Sequence, residues 1–308
     1  MNKIDRVLNA LKGEEVDRPP FSFWYHFGFQ HMPGTVHAQA EIDFYNAYDL
    51  DFIKVMNDYP YPLPTGVAAL ETEDDWRRIE PIDGGNDCWK EELSALSRIS
   101  ESVGKEALFI ETIFSPWTTA RRLARSGGLT DAMTRFPETV LKAMDIIATS
   151  LANYAKEAVN TGAGGIFLSL GAATDDVMSR EDYKTWCRPF DLKVLEAVSE
   201  APFNVLHIHG NRIHFDAVWD YPANAFNWSH YATPPSLKEG KSLLGKTVLG
   251  GINEATASHV SAPEIAKQVA ETIAEVGSLG LIVTPGCSVP TDTPVRNLRA
   301  VKETLAGD

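Results

Sequence analysis

Two histidines separated by one residue, in His207-Ile208-His209-Gly210, and a lone cysteine in Thr284-Pro285-Gly286-Cys287 are the side chains best suited to chemistry in this chain. Both segments leave apolar runs at a glycine. If the first run is a strand, His207 and His209 point to the same side and can share one ion. Two imidazoles and a thiolate are borderline-soft donors that suit Zn²⁺ better than Mg²⁺ or Ca²⁺. Three protein donors leave a fourth position free, the arrangement of a catalytic zinc and not of a structural one. The competing reading is two core histidines satisfied by hydrogen bonds and a buried thiol, and spacing alone does not bring Cys287 near the pair.

To position these groups the chain needs a scaffold, and its apolar pattern predicts one. Short β-branched or apolar runs recur at Phe21–His26, Phe52–Asn57, Ala107–Phe114, Gly165–Leu170, Phe203–His209, Ala225–His230, Thr247–Ile252 and Leu279–Thr284. Longer segments with helical periodicity separate them. One is Ala262–Gly277, which has proline near its start and glycine at its end. Eight alternating units predict a single (β/α)₈ TIM barrel over residues 1–308, with an N-terminal helix and a helical insertion after the third strand. The insertion is the stretch of about residues 116–161, which Gly127-Gly128 and Pro137 break into two or three helices. An open doubly wound sheet is the alternative, but no strand leads into a Gly-x-Gly-x-x-Gly turn and no phosphate-cradling loop is found.

In a barrel, side chains at the C-terminal strand ends share one mouth. That expectation gathers Tyr25, His26, Asp58, Tyr59, Glu111, Ser169, His207, His209, His230, Asn253 and Cys287. Asp58, His230 and Asn253 are the candidate catalytic or substrate-orienting groups. Asp58 serves as a base or only caps a turn, and His230 is either a displaceable fourth zinc ligand or a substrate contact. Trp24, Phe27, Phe29, Phe114, Trp117 and Trp228 supply apolar walls. Arg121, Arg122 and Arg125 read as one solvated helix face, and Cys88 and Cys187 as inert thiols.

The bulk properties narrow the ligand class. A chain that is 44% apolar can bury a large core, and its net charge of −14 disfavours nucleic acid and anionic membranes and favours small or neutral ligands. Three widely spaced cysteines make no disulfide framework, and the N-terminal residues lack a signal-like apolar stretch, so a cytoplasmic location is expected.

Three segments carry a family resemblance: Asp17-Arg-Pro-Pro-Phe-Ser-Phe-Trp24, Ser179-Arg-Glu-Asp-Tyr-Lys-Thr-Trp-Cys-Arg-Pro-Phe-Asp191, and Thr284-Pro-Gly-Cys-Ser-Val-Pro-Thr-Asp-Thr-Pro-Val-Arg-Asn-Leu-Arg-Ala300. They resemble the uroporphyrinogen decarboxylase superfamily. The resemblance implies a (β/α)₈ barrel and one of two chemistries: metal-free decarboxylation of porphyrinogen side arms, or zinc-dependent methyl transfer as in methylcobamide:coenzyme M methyltransferases. The decarboxylases carry arginines just after Arg-Pro-Pro, whereas here the stretch Phe21–Gln30 has none. The methyltransferase branch binds zinc through His-x-Cys and a distant Pro-Gly-Cys. Here His209 stands in place of the first cysteine, which removes one ligand charge and makes the ion a stronger Lewis acid. The resemblance therefore implies a zinc methyltransferase exchanging a methyl group between a small donor or acceptor and a cobamide on a corrinoid partner protein. A decarboxylase using Asp58, and a zinc hydrolase or binding protein on the same scaffold, are the rivals.

Overall fold

A computed structural model describes residues 1–307. Seven parallel strands form one curled sheet in sequence order: β1 (Phe52–Val55), β2 (Leu108–Phe114), β3 (Ile166–Leu170), β4 (Val205–Ile208), β5 (Ala225–Trp228), β6 (Thr247–Ile252) and β7 (Leu281–Pro285). Every pair of neighbouring strands runs the same way, as required when helices fill the connections. The inner face begins with Phe52, Ile110, Phe167, Val205, Ala225, Leu249 and Ile282, all buried in one cluster. Val7 and Ala10 of helix α1 (Lys3–Lys12) join that cluster, and Thr247 Oγ1 donates to Ala10 O at 2.7 Å. The N-terminal helix thus seals the end where the strands begin, and leaves the other end free for chemistry.

The expected eight strands are seven among the described residues. The first predicted run, Phe21–His26, contributes only a parallel bridge between Phe21 and Val283. Its hydrogen bonds nevertheless reach both edges of the sheet. Val283 N donates to Pro20 O (2.8 Å), Ser22 N to Val283 O (3.2 Å) and Asp51 N to Phe21 O (3.0 Å). Proline at 19 and 20 removes two ladder donors. The buried Asp51 carboxylate takes the Phe21 N–H at 2.8 Å and also holds Arg6 and Arg18. A regular strand has too few free backbone groups left there. In consequence the two histidines lie at the end of the fourth strand, not the fifth, and the cysteine follows the seventh.

The predicted insertion is present as α5 (Pro116–Leu123), α6 (Gly128–Arg135) and α7 (Pro137–Asn160), each broken where glycine or proline demands it. Before it come α2 (Gly34–Tyr48), α3 (Glu73–Arg77) and α4 (Lys90–Val103), and after it α8 (Arg180–Trp186), α9 (Arg188–Glu196), α10 (Leu237–Leu244), α11 (Ala262–Val276) and α12 (Val295–Ala306). α11 ends at Gly277 with φ +79°, the backbone region glycine enters without a Cβ clash. Among the described residues no helix is long and apolar enough to cross a membrane.

Candidate metal centre

His207 is the third residue of β4 and His209 stands just beyond its end, where His209 N still continues the ladder to Leu170 O at 2.9 Å. Period-two alternation therefore keeps both rings on the inner face. Cys287 follows β7 after Gly286, whose position allows no side chain: a Cβ there would press on Ser229 and the Trp228 carbonyl. One donor atom from each of His207, His209 and Cys287 lies within 4.8 Å of the other two, and Cys287 Sγ is 3.6 Å from His209 Nδ1. Donors held about 2.0–2.3 Å from one zinc ion stand within roughly 4 Å of one another, so this trio needs little adjustment to share one.

The tautomer of His207 is fixed by its neighbour. Asn227 of β5 directs its amide hydrogens to Leu249 O (3.1 Å) and Pro285 O (3.0 Å), two groups that only accept. Its Oδ1 must then be the acceptor for His207 Nδ1 at 2.6 Å. The proton sits on Nδ1, and Nε2 presents its lone pair. Trp24 Nε1 donates to the same Oδ1 at 3.4 Å, and Phe167 stacks on the His207 ring with centroids 5.2 Å apart. Glu254 plays the same part for the cysteine: its carboxylate accepts from Gly286 N at 3.1 Å and from the Ser229 hydroxyl, tying the Cys287 loop to the strand ends.

Burial makes all three donors neutral in the ion-free state. It pushes His207 down to about 3, with His209 and Lys54 adding to the effect, and lowers His209, which Arg121 also faces. Burial raises the Cys287 thiol. Neutral imidazoles are ready ligands over the ordinary pH range, and only the thiol has a proton to release. The donor set fits Zn²⁺.

The donors line a cavity of about 220 Å³ with Trp24, His26, Lys54, Met56, Thr112, Phe114, Phe167, Ser169, Arg121 and Arg122. His207 is buried, Cys287 half-buried and His209 exposed, so the free side of the cluster faces the mouth. A second cavity of about 280 Å³, walled by Tyr61, Trp89, Leu151 and Tyr154, shares Thr112, Phe114 and Arg122 with the first.

The other expected residues divide. Asp58 accepts from His26 Nδ1 at 2.9 Å and faces the second cavity. His230 does not line either cavity: its ring lies against Tyr231 and beside Gly250, with Nδ1 buried and unpartnered, and burial lowers it to about 4. Asn253 turns the chain after β6: its Oδ1 accepts from Ala255 N, and its own backbone N–H donates to Gln268 Oε1. Glu111 faces away from the mouth, where Asn57 and Tyr154 donate to its Oε1 at 2.8 Å each. Sequence reasoning passed over Asn227, Glu254 and Lys54, and set aside Arg121 and Arg122, which the last turn of α5 brings to the cavity. Arg125 does pair at the surface, with Glu71. Cys88 and Cys187 stand apart from the cavity.

A family model described as uroporphyrinogen decarboxylase (URO-D) matches residues 61–307. The uroporphyrinogen decarboxylase of Parasynechococcus marenigrum (strain WH8102) is 32% identical over 245 residues, covering 67% of this chain and 69% of that protein. That of Synechococcus sp. (strain JA-3-3Ab) is 23% identical over 342 residues, covering 98% and 92%. Among solved structures, a methyltransferase from Methanosarcina mazei matches with a TM-score of 0.78 at 19% identity, covering 100% of this chain and 99% of that one. A putative vitamin-B12 independent methionine synthase from Listeria monocytogenes matches at 0.61 and 12% identity, covering 89% and 86%. At such identities the structural likeness is one of fold. The family match spans most of the sequence, and the chain belongs to the uroporphyrinogen decarboxylase family.

Proposed function

We propose that this chain is a zinc-dependent methyltransferase that moves a methyl group between a small thiol or ether and a corrinoid carried by a partner protein. The observation that carries the reading is the convergence of His207, His209 and Cys287 within 4.8 Å at the floor of an open cavity. The fold likeness to the Methanosarcina mazei methyltransferase supports it. We read residues 1–308 as one (β/α)₈ unit, with Pro20–Ser22 occupying the eighth position, and the protein as cytoplasmic.

Zn²⁺ held by the three donors would supply a Lewis acid that favours the thiolate form of a thiol reactant or polarises a methyl ether or thioether. The chain does the positioning. Asn227 keeps the proton on His207 Nδ1, Glu254 fixes the Cys287 loop, and Trp24, Phe114 and Phe167 exclude water around the reactant. In the thiol direction a methylcorrinoid on the partner would supply the methyl group: a carbon–sulfur bond would form as the carbon–cobalt bond broke, with the electron pair going to cobalt and the thiol proton to solvent. Asp58 and His26 stand beside the mouth as the pair that orients what enters. His230 and Asn253, which do not line the cavity, act on the surrounding framework as chain neighbours of Ser229 and Glu254.

A decarboxylase reading is favoured by the sequence relatives, which are uroporphyrinogen decarboxylases, and by Asp58. Against it, the stretch Phe21–Gln30 carries none of the arginines that follow Arg-Pro-Pro in the decarboxylases. Metal analysis and methyl transfer from free methylcobalamin, followed by its visible spectrum, separate the two. Wild type should hold one zinc, and His209→Ala and Cys287→Ala should lose it together with thiol methylation. Zinc retained by both variants, or porphyrinogen decarboxylation insensitive to chelators, would overturn the proposal.

A further inference from the structure

The proposed reaction leaves three basic side chains without a task. Lys54, Arg121 and Arg122 line the cavity that holds His207 and Cys287. Among the described residues none of the three makes an ion pair, although the chain carries 42 acidic residues against 28 basic ones. Other arginines do find carboxylates: Arg6 and Arg18 pair with Asp51, and Arg188 with Asp220.

Lys54 is the telling member. It stands on the inner face of β1 between Phe52 and Met56 and is 4% exposed. Its ammonium meets Met56 Sδ at 3.0 Å and lies 4.7 Å from the centre of the Phe167 ring, the ring that stacks on His207. A thioether and an aromatic face are weak partners for three N–H donors, so a buried cation here lacks the compensation such a group requires. The nearby carboxylates are committed elsewhere. Glu41 accepts from Met56 N and faces His37, Glu111 is held by Asn57 and Tyr154, and Asp58 is held by His26. Burial accordingly pushes Lys54 down to about 8. At the mouth, Arg121 and Arg122 lie over the rings of Trp117 and Phe114, which leaves their N–H edges free.

We propose that Lys54, Arg121 and Arg122 bind an anionic group of a small reactant, a carboxylate, sulfonate or phosphonate, with Lys54 holding it at depth and the two arginines at the mouth. The site reverses the expectation of a neutral ligand drawn from net charge, because local cations govern the field inside a low-dielectric cleft. It deepens the methyl-transfer reading by placing a charged group near the reacting atom, yet the anion site itself needs no metal.

The test is run on metal-free and zinc-loaded protein. Acetate, methanesulfonate and methylphosphonate are titrated calorimetrically into wild type, Lys54→Met and Arg122→Gln, and bromide is soaked into crystals and located by anomalous scattering. Bromide beside Lys54 Nζ, and at least tenfold tighter binding of one of the three anions to wild type than to Lys54→Met, are expected. Arg122→Gln should weaken the same anion, and the best binder among the three identifies the chemistry. Lys54→Met should melt no lower than wild type, since a buried unpaired charge is removed. A cavity free of bromide, or equal anion affinity in wild type and Lys54→Met, overturns the proposal. Zinc content in the same samples keeps the two readings apart: anion binding without zinc sinks methyl transfer alone, and zinc without anion binding sinks this site alone.

Discussion

His207 Nδ1 and Asn227 Oδ1 are 2.6 Å apart, and the Asn227 amide also holds carbonyls at Leu249 and Pro285. One side chain of β5 therefore sets the proton on a β4 ring while gripping β6 and β7. Groups that orient a metal-binding imidazole in this way govern affinity strongly. Asn227→Ala should weaken zinc binding by about 10–100-fold, measured by competition with a chromophoric chelator. Unchanged affinity would show that the contact is only structural.

Buried Asp191 gives the fold a pH dependence. Tyr183 donates to its Oδ2 at 2.7 Å, and burial raises the carboxyl to about 7. The folded state thus prefers the protonated form, so the contribution to stability is present below about pH 4, where the unfolded carboxyl is also protonated, and is lost as pH rises to 7. Asp191→Asn should stabilise the protein at pH 8 by up to about 4 kcal/mol and change little at pH 4. Denaturant unfolding at both pH values checks this, and equal effects at the two would contradict it.

A second buried group works with the opposite partner. His37 lies 3.2 Å from Glu92 and 3.5 Å from Glu41, all nearly inaccessible, and the carboxylates hold it up to about 10 despite burial. Its stabilising charge is fully present below about pH 6.5 and fades as pH climbs through 10. His37→Leu leaves two buried carboxylates without their cation and should cost about 3–5 kcal/mol near neutral pH. A loss under 1 kcal/mol would mean that the carboxylates are already protonated.

Helices α2 and α4 meet through Gly34, whose N–H donates to Glu91 Oε2 at 2.7 Å and where a Cβ would overlap the Glu91 carbonyl. Gly34→Ala should destabilise by about 1–3 kcal/mol through overpacking, with zinc content unchanged. An unaltered melting temperature would show that the helices can separate freely.

Seven of eight strand segments could be read from apolar runs because each run is buried on both faces, and helix ends followed glycine and proline. The eighth could not, since what decides it is the Asp51 carboxylate and the proline pair competing for backbone groups, a tertiary matter. That His207 and His209 share a face was legible because His-x-His on a strand has only one geometry, whereas the approach of Cys287 depends on where β7 lies in the sheet. His230 has the opposite parity to the inner-facing Ala225 and Asn227 of β5, and its ring accordingly lies beside Gly250 and outside the cavity. Lys54 hid inside an otherwise apolar run, where an inward lysine looks no different from an outward one. Arg121 and Arg122 resembled any solvated helix face until the position of α5 was known.

His209 and Cys287 stand 78 positions apart in sequence, and His207 lies two residues before His209. An emerging polypeptide therefore displays the paired rings long before the sulfur arrives, and can offer an ion only a weak, two-point hold until β7 docks. In the proposed metal-bound state, full-strength capture must therefore wait until β7 has joined the sheet. An ion held there as proposed would be a removable clasp between β4 and β7, which are not neighbours in the sheet.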